Sequence, residues 1–110
     1  EKRKRKKHNY KILLFKLRVL YELSLYEEAM LEADRIKHYI KKSDTITKNT
    51  NANISVFIYF FIKLIYVNSD PNHKKLDDLI VALNKSTKLI PHKAWFNEKI
   101  QSLKNKNVSG

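Results

Sequence analysis

The sequence predicts an all-α fold of about five antiparallel helices. One observation is compositional: 110 residues hold one glycine and two prolines, too few turn residues for the reversals of a β-sandwich or barrel. Another is periodicity, because apolar residues recur at helical spacing in successive segments. The last is punctuation, because helix-start signals precede several of those segments. A chain of this length is one domain. Surface scaling allows about two thirds of its unfolded surface to be buried, enough for one modest core.

Residues 10–23 read as the first helix. Tyr10, Leu13, Leu14, Leu17, Leu20 and Tyr21 form one broad apolar stripe at 100° per residue. Ile12, Phe15, Val19 and Leu23 form a second, separated by Lys16 on one side and by Lys11, Arg18 and Glu22 on the other. A surface helix normally has one stripe, so two imply burial on two sides. Ser24-Leu25-Tyr26-Glu27 has capping-box spacing and predicts a second helix to about Lys42. Tyr26, Ala29, Met30, Ala33, Ile36 and Ile40 form its core face, with Glu28 and Glu32 on the solvent side. A link of about two residues makes the pair an antiparallel hairpin.

Residues 43–53 are polar and read as a loop. Ile54 to Val67 has only Ser55 and Lys63 as polar residues, which predicts a buried central helix. The run is short of the roughly 20 apolar residues a membrane span needs, so no span is expected. Asp70-Pro71 reads as an N-cap and first helical residue of a fourth helix to about Lys88, aligning Leu76, Leu79, Ile80, Leu83 and Ile90. Pro91 opens a fifth to about Lys104, with Trp95, Phe96, Ile100 and Leu103 expected in the core. The expected organisation is a basic segment over 1–9, one helical domain over 10–104 and a frayed tail over 105–110.

The net charge is +12, and half of it sits in residues 1–11. Lys2, Arg3, Lys4, Arg5, Lys6 and Lys7 are six consecutive cations, candidates for phosphate contact or a solvated basic stretch. The remaining charge is diffuse. Nineteen lysines, eleven isoleucines and ten asparagines are also what AT-rich codons produce, so it says less about partners. The basic start reads poorly as a signal peptide, because Lys16 and Arg18 interrupt the apolar run and no small-residue cleavage site follows. The chain opens on Glu1 and so reads as a piece of a longer or processed protein. The expected compartment is cytoplasmic.

Ser24-Leu25-Tyr26-Glu27-Glu28-Ala29 resembles the turn of a tetratricopeptide repeat, in which a small residue, a Tyr and an Ala close two helices together. Lys16 and Leu17 stand where that pattern has Leu and Gly, and no 34-residue self-similarity is present. The order of basic run, Tyr-led helix, Leu-Tyr-Glu-Glu-Ala turn, Lys-rich helix end and Trp95-Phe96-Asn97-Glu98-Lys99-Ile100 is similar to the C-terminal part of uncharacterised bacterial tetratricopeptide-like proteins. The resemblance implies tetratricopeptide-like helical hairpins and a scaffold, and it carries over no catalytic residue.

Cysteine is absent, which excludes disulfides and thiolate chemistry. His8, His38, His73 and His92 are scattered outside any zinc or di-iron spacing. Asp77 and Asp78 point about 100° apart, and Asp34 with His38 makes at most a surface contact. No cofactor, metal or catalytic activity is expected. The leading function is a non-enzymatic protein-interaction module with an unidentified protein partner; the runner-up is weak nucleic-acid binding through Lys2–Lys7. The candidate partner surface is Ile12, Phe15, Val19 and Leu23, expected to be covered by helix three or by a helix preceding Glu1 in the parent chain. The second case predicts self-association.

Overall fold

A computed structural model describes the backbone of residues 2–42, 47–69, 73–86 and 90–109, and the side chains of 11–42, 47–69, 74–86 and 90–105. The described residues form five helices and no strand: α1 (Lys2–Glu22), α2 (Tyr26–Lys42), α3 (Lys48–Ser69), α4 (His73–Lys85) and α5 (Lys93–Ser109). The fold is all-α. The body measures 51 × 30 × 19 Å.

α1 starts at Lys2, well before the apolar periodicity begins. Lys and Arg are good helix formers and neither Gly nor Pro interrupts the run, so the helix propagates through the basic segment. It ends in a Schellman motif. The Leu25 N–H donates to the Leu20 carbonyl and the Ser24 N–H to the Tyr21 carbonyl, both at 2.9 Å, the paired bonds that satisfy a helix C-terminus. Ser24 sits at the left-handed position with φ 61°. The capping-box reading is thereby corrected: Ser24 closes α1, and Leu25 starts α2 by accepting the Ala29 N–H at 2.9 Å. A side chain with a Cβ costs about 1–2 kcal/mol in this conformation, so Ser24→Gly is expected to stabilise the fold by about 1 kcal/mol. A higher urea midpoint with an unchanged slope is the measurement.

α1 and α2 form an antiparallel hairpin. Tyr21 meets Tyr26 edge-on at 5.3 Å, and Lys16 lies 3.7 Å from Glu32. Ala29 and Ala33 are fully buried, small enough for close approach of the helices. Glu32, expected on the solvent face, is only 8 % exposed. It is held by Lys16 and by Arg35 at 3.1 Å. Its position on α2 is turned toward α1, and only the neighbour's placement makes that flank an inside.

α3 begins before the apolar run predicted for it. Thr47 is its N-cap: its hydroxyl accepts the Thr50 N–H at 3.2 Å, and its carbonyl accepts the Asn51 N–H at 2.9 Å. Asn51 Nδ2 donates to the Ile40 carbonyl at 2.9 Å, docking the first turn of α3 on the end of α2. The expected loop therefore shrinks, since a polar first turn leaves no periodicity to read. Ile54, Phe57, Ile58, Phe60, Phe61, Leu64, Ile65 and Val67 are buried. By length and a mean hydropathy of 1.4, α3 could cross a membrane; here its apolar arc is the surface on which α1, α2, α4 and α5 all pack.

α4 contributes buried Leu76, Leu79 and Leu83. Its expected start at Asp70-Pro71 and end at Lys88 lie outside the described residues. Ile90 is buried but follows α4 rather than belonging to it. Pro91 and His92 form the turn before α5, and the His92 carbonyl accepts the first helical bond, from Phe96 N–H at 3.1 Å. The α5 backbone stays helical through Ser109, across most of the tail expected to fray. α2 packs on α1 and α3, α4 packs on α3 and α5, and α1, α3 and α5 form a row between them. An aromatic cluster of Tyr21, Phe57, Phe61, Trp95 and Phe96 fills the middle.

Candidate functional site

The two stripes of α1 have different fates. Leu14, Leu17 and Tyr21 are buried in the core, while Leu13 and Leu20 are only partly buried against it. The second stripe is uncovered by any described element. Ile12 is 64 % exposed, Phe15 57 %, Val19 37 % and Leu23 61 %. α3 packs on the first stripe, so the alternative in which it covers the second is overturned. The row spans about 16 Å of helix on the outer side of α1, away from the core.

A polar latch between α1 and α5 fixes the orientation of this row. Trp95 Nε1–H donates to Glu22 Oε2 at 3.0 Å, and Lys99 Nζ lies 2.6 Å from the same oxygen. Arg18 Nη1 lies 2.9 Å from His92 Nδ1. A guanidinium only donates, so Nδ1 accepts and the neutral imidazole carries its proton on Nε2. The Arg18 guanidinium is 5.5 Å from the Trp95 ring centre and 5.9 Å from that of Phe15, so one cation touches both the core and the exposed row. Its Nε is buried with no hydrogen-bond partner among the described residues. The latch joins residues more than 70 positions apart, and no spacing rule reaches that far.

These contacts perturb two titrations. Hydrogen bonds from Lys99 and Trp95 hold the Glu22 carboxyl below its ordinary range. Desolvation, then the Arg18 charge, lowers His92. Protonating His92 costs more in the folded than in the unfolded chain. The unfolded chain therefore binds more protons below about pH 6.5, and stability falls as pH drops through that value. Glu22 adds stability above its ordinary value of 4.5 that is lost on further acidification. Stability from urea midpoints is expected to decline in two stages from pH 7 downward, and His92→Asn to flatten the first. Asn is chosen because φ is 59° at this position and Asn tolerates it.

The remaining sequence candidates separate. The backbone of Lys2–Lys7 is helical; their side chains lie outside those described. The hairpin register that sets Lys16 against Glu32 brings Lys41 and Lys42 level with these turns, and α3 starts at Lys48 at the same end. Trp95 and Phe96 are buried. Asp77 and Asp78 are exposed. His38 Nδ1 lies 2.9 Å from the Asp34 carbonyl oxygen and 3.7 Å from its carboxylate, both residues being exposed. No cluster of three or more His, Asp or Glu residues suited to a metal ion occurs among the described residues.

The aromatic run Val56–Phe61 offers a pocket or a membrane contact as alternatives to core packing; Phe57, Ile58, Phe60 and Phe61 are core, while Tyr59 is exposed and lines a second concave surface. Two open depressions of about 520 and 560 Å³ flank the outer edge of α3 and share Tyr59, Lys63 and Tyr66. Lys63 Nζ lies 5.1 Å from the Tyr59 ring centre. No family model, curated protein or solved structure matches the chain.

Proposed function

We propose that this bundle is a non-enzymatic protein-interaction module whose docking surface is the outer row of α1. The observation that carries the reading is the exposure of Ile12, Phe15, Val19 and Leu23 on one helix face. Four large apolar side chains aligned along a helix form the contiguous kind of patch that marks association surfaces, unlike apolar residues scattered singly. A row at this spacing suits an amphipathic helix or a helical hairpin of a partner. We read the hairpins as tetratricopeptide-like. The row α1–α3–α5, with α2 and α4 each bridging two of its members, supports that reading.

The test is site-specific photocrosslinking in cells. A benzophenone side chain at Phe15 is expected to give discrete protein adducts, while the same probe at exposed Val81 gives none. Absence of protein adducts from both positions would sink the proposal.

A second reading is favoured by the basic end of the bundle. Helical turns carrying Lys2–Lys7 lie level with Lys41 and Lys42, and Lys48 starts α3 there. Phosphate contact by the six N-terminal cations predicts a log K versus log salt slope of about −5 on duplex DNA. Salt titration of binding separates the readings: a slope near zero retires nucleic acid as a partner.

A further inference from the structure

We infer that the occupant of the α1 row is a second copy of this chain, laid antiparallel on α1 about a two-fold axis near residue 17. The inference rests on the interaction reading and names its partner. The row itself is nearly palindromic: Ile12, Phe15, Val19 and Leu23 are spaced three, four and four residues apart. Reversal about residue 17 sets Ile12 opposite Leu23 and Phe15 opposite Val19 of the second copy. That is the self-complementary match a two-fold interface requires.

Charge decides the direction. One end of the row is continuous with the cationic turns Lys2–Lys7, helical in α1. The other ends at the α1–α2 turn, where α2 opens on exposed Glu27 and Glu28. A parallel pair would set six consecutive cations against six. The antiparallel pair carries each basic end past the acidic turn of the other copy and holds the two basic ends farthest apart. Like charges within a Debye length of about 10 Å at 0.1 M salt repel strongly enough to select between the two. The row supplies the apolar burial, and the charges set its polarity.

Sedimentation equilibrium of the full 110-residue chain is expected to show a monomer–dimer equilibrium. Phe15→Lys with Val19→Glu, and separately Ile12→Lys, are each expected to raise the dimer dissociation constant at least about tenfold while leaving the helical circular dichroism unchanged. The chain has no cysteine, so introduced thiols report the register cleanly. Mixed Ile12→Cys and Leu23→Cys variants are expected to form the heterodisulfide. Two Ile12→Cys chains are not, because antiparallel packing holds those positions about 16 Å apart along the axis, beyond the reach of about 7 Å between Cα atoms. Preferred Ile12→Cys homodisulfides overturn the antiparallel arrangement. A monomer at high micromolar concentration overturns self-pairing and leaves the interaction reading standing. Unfolding by both Ile12→Lys and the double variant places the row in the core and overturns both.

Discussion

Phe61→Ala is expected to lower stability by about 3–5 kcal/mol, the range for emptying an aromatic core position. Phe61 is fully buried. Its ring lies 5.7 Å from Phe57 and 6.1 Å from Trp95, roughly parallel to both, and 6.3 Å from Tyr21 edge-on. The truncation removes apolar area and leaves a void at the junction of α1, α3 and α5. Helix backbones do not collapse to fill it, because each is pinned by its own hydrogen bonds and by neighbours packed at crystal-like density. A domain of this size has about 5–15 kcal/mol to lose, so the variant should unfold at a much lower urea concentration. Tyr59→Ala, on the exposed side of the same helix, is the control and should shift stability by no more than about 0.5 kcal/mol. Equal midpoints for the two variants would refute the assignment of α3 faces.

Leu17→Ala is expected to cost about 2–5 kcal/mol, and Phe15→Ala almost nothing in the monomer. Leu17 is fully buried against the core while Phe15, two residues away, faces out. The pair isolates the two stripes of α1 in a single helix of common propensity. Circular dichroism and urea denaturation at low protein concentration give the comparison, since dilution suppresses any contribution from association. A large loss for Phe15→Ala under those conditions would place the outer row in the core of the single chain.

Much of the architecture was legible locally. Leu14, Leu17 and Tyr21 of α1, Ala29, Ala33, Ile36 and Ile40 of α2, and Leu76, Leu79 and Leu83 of α4 are core residues announced by their spacing. Both stripes of α1 were readable, and so was the candidate row. Punctuation was less readable. Ser24 looked like a cap for the helix that follows it, yet it serves the helix before it. The sequence Ser-Leu-Tyr-Glu satisfies the pattern of one and the geometry of the other. Thr47 carries no readable signal as a cap, because the turn it starts, Lys48-Asn49-Thr50, is polar and has no apolar periodicity.

Helix content and the apolar arc of each helix were decided by the sequence alone, because both follow from relations between residues three or four positions apart. Which arc becomes an inside is a different matter. Glu32 is buried because α1 supplies Lys16 beside it, and Leu20, on the same apolar stripe as the buried Leu17, is only partly buried against the core. The Glu22–Trp95–Lys99 and Arg18–His92 contacts exist only because the start of α5 comes within side-chain reach of the end of α1. Periodicity states that a face is apolar; it contains no information about which neighbour arrives. With α3 placed on Leu14, Leu17 and Tyr21, the geometry of packed cylinders leaves the opposite side of α1 facing outward, and the row Ile12, Phe15, Val19 and Leu23 became a surface by that placement rather than by its own composition.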